Sequence, residues 1–161
     1  MRIDIIAVGR MKAGPERDLF QNYLDRIEAM SRTVPLGPVT LIEVEEKKRL
    51  DRMELAAREG EKILSSLASG AKLVALDERG KSLESLGFAE RLRGWRDESI
   101  PTTAFVIGGA GGLSDPVRAR ADLTLSFGNQ TWPHMLARVM LAEQIYRAST
   151  IISGHPYHRE G

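Results

Sequence analysis

The chain has 161 residues, of which 42% are apolar and 28% are charged, a balance typical of a folded globular protein and not of a disordered one. It contains no cysteine, which excludes disulfides, thiolate nucleophiles and cysteine-ligated metal centres. The formal net charge is +1, far from the strongly basic balance of proteins that hold bare nucleic acid by phosphate neutralisation alone.

Two further observations bear on location. Residues 1–6 lack the long apolar segment of a signal peptide. No apolar run approaches the roughly 20 residues that a membrane-spanning helix needs. We therefore expect a cytoplasmic protein with no membrane partner.

Apolar segments with strand character alternate along the chain with segments of helical spacing. Strands are predicted, in chain order, at residues 2–8, 39–44, 72–76, 102–107 and 122–126. Helices are predicted at residues 15–30, 50–68, 82–96, in a short piece beginning at 114–116, and at about 134–152. This order predicts a single α/β domain over residues 1–161, with a mostly parallel sheet covered by helices on both faces.

A glycine-rich loop, residues 108–112, follows the fourth predicted strand and precedes a predicted helix. Ligands of open α/β sheets bind beyond the carboxyl ends of strands, and glycines let the backbone approach a ligand closely. The pattern is neither a Walker A motif nor a clean G-x-G-x-x-G, because Ser114 stands where the third glycine would fall. From the loop alone, ligand contact and a bare tight turn both remain open.

A second loop, residues 127–133, follows the fifth predicted strand. Its sequence Phe-Gly-Asn-Gln-Thr-Trp-Pro combines aromatic, amide and hydroxyl groups, which together can recognise a flat heterocycle. An ordinary connection between a strand and a helix explains the same composition equally well.

The last predicted helix is apolar on several sides, so it needs more than one packing partner. We expect the second face to meet another copy of the chain in a homodimer. Glu143 and Arg147 have the spacing of a helical ion pair. Arg138 lies on a different face and is either solvated or positioned to contact a phosphate.

All three histidines lie near the C-terminus: His134, His155 and His158. The last two are three residues apart, but Pro156 breaks the helix that a metal-binding pair would require, so no metal is predicted. Two interpretations of the tail remain open, a structural arm docked on a neighbour and a substrate-binding arm. By contrast, the charge run at residues 45–49 is interpreted as a solvated loop or helix start.

These segments, taken in order, resemble the bacterial ribosomal RNA large-subunit methyltransferase H family of the SPOUT class. The resemblance runs nearly end to end. It is carried by Ile5–Gly9, Leu73–Asp77 with Gly80-Lys81, Phe105–Gly109 with Gly112-Leu113, Thr131–Val139 with Ala142–Ala148, and the ending His155–Glu160. The stretch that begins Thr131-Trp132-Pro133-His134 is the most specific of these.

The resemblance implies a trefoil α/β knot near the C-terminus and a homodimer. It also implies methyl transfer from S-adenosylmethionine to N3 of a pseudouridine in 23S ribosomal RNA, within the assembled ribosome. Three loops would hold the cofactor in the family pattern. Their counterparts here are Leu76, Gly108, and the run Phe127, Gly128, Asn129, Gln130, Thr131 and Trp132.

For the chemistry, candidates lie mainly on the tail. The N3 proton of pseudouridine must leave, so a base or a cationic group beside it would help. We expect His158, Tyr157 and Arg159 to act on the substrate, and Arg138 to contact phosphate or base. Two rival classes remain from the sequence, a Rossmann-like nucleotide enzyme and a non-catalytic ribosome-binding module.

Overall fold

A computed structural model describes residues 1–159; Glu160, the last residue of the C-terminal motif, lies outside them. The strands are β1 (Arg2–Val8), β2 (Val39–Val44), β3 (Lys72–Lys81), β4 (Thr102–Ile107) and β5 (Leu123–Leu125). The helices are α1 (Pro15–Met30), α2 (Arg52–Ser65), α3 (Ser85–Asp97), α4 (Asp115–Arg120) and α5 (His134–Ser153).

The five strands form one sheet in the order β2-β1-β4-β3-β5, and every pair is parallel. The predicted α/β fold with a parallel sheet is therefore confirmed. Its strand order differs from both common doubly wound orders, the dinucleotide-binding and the flavodoxin-like. All five strands end at one edge of the sheet, where the loops predicted to bind ligand meet.

Helices cover both faces of the sheet. On one face, α1, α3 and α5 pack around Ile3, Ile5 and Phe105 in the larger apolar core. On the other face, α2 and α4 close a smaller core around Ile6 and Val106. Strand β4 is buried along its whole length, which explains its apolar run Ala104–Ile107; Thr102 and Thr103 are buried as well.

Several element boundaries differ from the predictions by one to five residues, among them both ends of α3 and of β5, and two of the differences have identifiable reasons. Helix α2 begins at Arg52 and not at residue 50, because the Asp51 side chain accepts a hydrogen bond from the Glu54 amide and caps the helix. Strand β3 continues past Asp77 to Lys81, because its end pairs with β5 after a shift in register.

The continuation of β3 brings two parts of the backbone very close together. A Cβ atom on Gly80 would lie 2.6 Å from the carbonyl oxygen of Thr124 and 2.8 Å from the carbonyl carbon of Leu125. Only glycine fits at this position. In residues 1–159, no helix has the length and apolar character to cross a membrane.

Candidate cofactor cavity and C-terminal tail

The predicted cofactor loops enclose one cavity at the carboxyl edge of the sheet. It measures about 420 Å³, within the range of small-molecule sites. Seven of the eight predicted cofactor residues line it: Leu76, Gly108, Phe127, Gly128, Gln130, Thr131 and Trp132. Asn129 is exposed and lies outside the lining. The fold thus brings together residues that are more than 50 positions apart in the sequence.

The glycine loop forms one wall of this cavity. Its ends are tied by a hydrogen bond from the Gly112 amide to the Gly109 carbonyl oxygen, at 2.9 Å, and Gly112 has φ 77°. Within residues 1–159, the amides of Ala110 and Gly111 donate no hydrogen bond to the protein. The loop therefore offers backbone donors to a ligand in the cavity.

A buried carboxylate lies directly behind the glycine loop. Glu59 on α2 is 5% exposed, and a Cβ atom on Gly109 would lie 2.9 Å from its Oε2. Its Oε1 has no hydrogen-bond partner among the described residues. Burial, reinforced by the charge of Glu46 and opposed by Lys62, raises the pKa of Glu59 above its ordinary value. Sequence reasoning missed this residue, since its spacing on α2 resembles that of an ordinary solvent-facing glutamate.

A second carboxylate joins β3 to the short helix α4. The Arg118 Nε donates to Asp77 Oδ2 at 2.8 Å, and both residues line the cavity. Burial alone would raise the pKa of Asp77, but hydrogen bonds from the Arg79 amide and Arg118 hold it below its ordinary value. This ion pair fixes α4 against the end of β3, and so fixes the far side of the glycine loop.

The structure places Arg138 differently from the prediction. Its side chain is 0% exposed and donates to Glu43 Oε2 at 2.8 Å, and to the carbonyl oxygens of Val8 at 3.0 Å and Gly9 at 2.8 Å. The expectation that Arg138 contacts phosphate or base is wrong for this arrangement, because its nitrogens face the interior. Arg138 instead ties the start of α5 to the ends of β1 and β2.

The C-terminal tail folds back onto α5 through a cluster of side chains. Glu143 Oε1 accepts hydrogen bonds from Arg147 Nε at 3.0 Å, from Arg147 Nη2 at 2.6 Å, and from the Tyr157 hydroxyl at 3.0 Å. The Arg147 guanidinium lies 4.8 Å from the centre of the Tyr157 ring, and that ring packs edge-on against Tyr146. The helical ion pair predicted for Glu143 and Arg147 is present and holds the tail.

The chemistry of this cluster limits what each tail residue can do while docked. Burial, together with Tyr23 and Glu143 nearby, raises the pKa of Tyr157 well above its ordinary value, so its hydroxyl remains a donor. Arg147 Nη1 lies 3.2 Å from His158 Nδ1. Because a guanidinium has no acceptor, Nδ1 must accept, and Nε2 then carries the ring hydrogen of His158.

The tail and the cavity are separate within one chain. Ala137 lines the cavity, whereas Glu143 lies six residues further along α5, about 9 Å by helical rise. None of residues 155–159 lines the cavity; His155 and Arg159 are exposed. His134 does line it, at the first turn of α5. The three histidines therefore belong to two different regions.

A larger apolar cavity of about 560 Å³ lies between these two regions. It shares Leu125, Phe127 and Gly128 with the first cavity, and Glu143 lies on its wall. Leu19 of α1 also lines it and is 47% exposed. In residues 1–159, no group of three or more histidine, aspartate or glutamate side chains is arranged to hold a metal ion.

A parallel α/β sheet with a cavity at its carboxyl edge is an arrangement typical of α/β enzymes that bind small-molecule ligands. Its glycine loop follows β4 and not β1, and its strand order excludes the Rossmann arrangement. A family described as "Predicted SPOUT methyltransferase" matches residues 1–158, and the chain belongs to that family.

Curated relatives agree with this assignment. The ribosomal RNA large subunit methyltransferase H of Paramagnetospirillum magneticum is 55% identical over 159 residues, covering 99% of both chains. The protein of the same name from Rhodospirillum centenum is 54% identical, again over 99% of both chains. The predicted family resemblance is therefore confirmed.

The fold is also found among solved structures. A probable methylase family protein from Haemophilus influenzae superposes with a TM-score of 0.56 at 14% identity, covering 98% of this chain and 70% of that one. SPOUT methyltransferases use S-adenosylmethionine, so the predicted cofactor is confirmed by family membership. The cavity suits this group, because it pairs free backbone amides with apolar walls from Leu76, Phe127 and Trp132.

Proposed function

We propose that this chain methylates N3 of a pseudouridine in large-subunit ribosomal RNA, using S-adenosylmethionine, on the assembled ribosome. The observation that carries the proposal is the convergence of seven predicted cofactor residues on one cavity. The printed name of the 55% identical relative supplies the substrate class. A cytoplasmic location follows from such a substrate.

The cofactor side of the mechanism depends mainly on the backbone. The cofactor, when bound, supplies a methyl group already activated on a sulfonium sulfur. Leu76, Gly108 and the cavity-lining residues of the run Phe127–Trp132, which leave out Asn129, would hold it, and the Ala110 and Gly111 amides would supply donors. Because the methyl group is activated, positioning it against the acceptor nitrogen is the main task of these loops.

The substrate side depends on the tail. Transfer would break the bond from the methyl carbon to the sulfonium sulfur as the bond to N3 forms, and the N3 proton would pass to a base or to water. We assign His158, Tyr157 and Arg159 to this side, with Tyr157 as a donor that orients the tail. While His158 Nδ1 faces Arg147, its Nε2–H can donate to the base but cannot accept the N3 proton. Proton acceptance by His158 therefore requires that the contact with Arg147 breaks.

A homodimer is part of the same proposal. Within one chain the tail lies away from the cavity, so a second chain provides a way for a tail to reach a cofactor. Leu19, which lines the apolar cavity and is 47% exposed, and Leu136 of α5, which is 40% exposed, provide apolar surface for that contact. Sedimentation equilibrium is expected to give twice the chain mass of 17.8 kDa.

The ribosome as substrate fits the charge of the protein. A net charge of +1 gives little general attraction for isolated RNA, so a shaped ribosomal surface is needed for recognition. We expect methyl transfer to intact ribosomes and much less to the naked transcript. Equal rates on the two substrates would contradict this part of the proposal.

The decisive experiment is transfer of a radiolabelled methyl group to ribosomes lacking the modification, followed by mapping of the labelled nucleotide. Label at N3 of a single pseudouridine in the large-subunit RNA is the expected result. Label on another base, or none, would overturn the proposal. Calorimetry with S-adenosylmethionine and with NAD separates the methyltransferase from a nucleotide-dependent dehydrogenase, since only the first ligand is expected to bind.

A further inference from the structure

The charge run at residues 45–49 contains two acidic and three basic residues. In the structure, the two acids form ion pairs with cations outside the run. Glu45 Oε2 lies 3.5 Å from Arg10 Nε, and Glu46 Oε2 lies 3.2 Å from Lys62 Nζ. Lys62 also donates to the Glu45 carbonyl oxygen. Both acids of the run therefore have cationic partners outside it.

Among residues 1–159, the cations that follow form no ion pair of this kind. Lys47, Lys48, Arg49 and Arg52, which we call the basic segment, are all exposed. In the part of the chain that the structure describes, no carboxylate oxygen lies within 4.0 Å of any of their charged nitrogens. The intervening Asp51 caps α2, accepting from the Glu54 amide at 2.8 Å. Four positive charges are left within six residues.

The basic segment ends at the cofactor cavity. Arg52 lines the cavity, and a Cβ atom on Gly111 would lie 3.0 Å from the Arg52 carbonyl oxygen, so the first turn of α2 touches the glycine loop. On the same cavity, Trp132 is 39% exposed, so this wall is open to solvent. An RNA strand that presents one base at the mouth of the cavity would pass the basic segment.

We propose that the basic segment binds backbone phosphates of the RNA strand that flanks the nucleotide presented at the mouth of the cofactor cavity. This inference rests on the proposed function for its choice of RNA as the polyanion. Exposed cations that have no carboxylate partner meet phosphates without first breaking an ion pair. Each phosphate neutralised releases counterions, so binding through this segment weakens steeply with salt.

The test compares two triple variants that lose the same charge. One is Lys47→Gln, Lys48→Gln and Arg49→Gln. The control is Arg32→Gln, Arg91→Gln and Arg93→Gln, three exposed cations on or next to helices that pack on the opposite face of the sheet. Binding of each protein to large ribosomal subunits lacking the modification is measured by co-sedimentation over a range of KCl concentrations. Thermal unfolding confirms that both variants fold.

The first variant is expected to bind roughly 10- to 100-fold more weakly at 0.1 M salt, with the slope of log affinity against log salt reduced by about 2. The control is expected to stay within about twofold of the unchanged protein. Equal behaviour of the two variants, or no binding by the unchanged protein, would overturn the inference.

Methyl transfer by the unchanged protein is read separately on the same particles. If the unchanged protein transfers methyl groups and the two variants bind ribosomal subunits equally well, the proposed role of the basic segment is wrong and the proposed function stands. Binding that depends on the segment, without any transfer, would reject the proposed function and leave the segment as an RNA-binding surface.

Discussion

The cofactor cavity and the C-terminal tail are built in opposite ways. The cavity is lined mainly by residues at the ends of β3, β4 and β5 and in the loops that follow β4 and β5, whose positions those strand ends fix. The tail is held by a few side chains of one helix, centred on Glu143. Backbone geometry tolerates almost no added volume, whereas a docked arm can be released by changing one acceptor. The two regions should therefore fail in different ways when altered.

The largest expected effect tests the rigid side of this contrast. Gly80→Ala would put a carbon 2.6 Å from the Thr124 carbonyl oxygen, where only backbone can move. We expect a loss of about 3 kcal/mol or more in the free energy of unfolding, the upper end of the usual cost of overpacking. Denaturant unfolding measures it.

The matched control is Gly94→Ala on α3, where an added Cβ meets nothing within 4 Å. This change is expected to stabilise the helix by about 0.5–1 kcal/mol. If both glycine changes cost the same free energy of unfolding, the close approach at Gly80 is not what constrains the region.

The next largest effect is expected from releasing the C-terminal tail from α5. Glu143→Gln keeps the shape of the residue but removes the charge that holds Arg147 and the Tyr157 hydroxyl. Hydrogen bonds to charged groups contribute about 1.5–3 kcal/mol, so we expect methyl transfer to fall roughly 10- to 100-fold. Affinity for S-adenosylmethionine should change little, since Glu143 does not line the cofactor cavity.

A control for that variant is Glu90→Gln, which removes the same charge from an exposed side chain of α3. It leaves the three hydrogen bonds to Glu143 Oε1 in place. A loss of cofactor affinity in Glu143→Gln equal to its loss of transfer would mean that tail and cavity form one unit.

The smallest effect concerns the buried carboxylate behind the glycine loop. The pKa of Glu59 is raised in the folded protein, so the fold binds its proton more tightly than the unfolded chain does. Its contribution to stability is therefore most favourable below the unfolded pKa of about 4.3, and is lost as pH rises toward the folded pKa. Each unit of that increase corresponds to about 1.4 kcal/mol.

Glu59→Gln removes this dependence, because the amide does not titrate. Relative to the variant, the unchanged protein should lose stability as pH rises above the unfolded pKa of about 4.3. Urea unfolding of both proteins across this range provides the comparison. If the free energy of unfolding of the two proteins depends on pH in the same way, the Glu59 carboxyl group titrates as it does in the unfolded chain, despite its burial and the nearby charge of Glu46.

The sequence predicted the elements well wherever hydrophobic periodicity determines them. The bounds of β1, β2, β4 and α1 match the predictions because each segment buries a regular set of apolar side chains. The end of β3 was not predictable from residues 77–81, which carry charges and a glycine, because its pairing depends on β5. Tertiary contact overrides local pattern there.

The residues of the candidate site also fall into two groups, those predictable from local sequence and those placed by tertiary contacts. Loop positions such as Gly108 and Trp132 could be predicted, because the carboxyl ends of parallel strands meet at one edge. The burial of Arg138 could not, since its partner Glu43 is 95 residues away and only the fold brings them together. The same holds for the contact between Glu59 and the glycine loop.

The most direct test of the division between cavity and tail is deletion of residues 155–161. Calorimetry with S-adenosylmethionine and labelled methyl transfer to unmodified ribosomes are measured on the same preparation. We expect cofactor affinity within about threefold of the full chain and no detectable transfer. Loss of both together, or transfer at the full rate, would contradict the account.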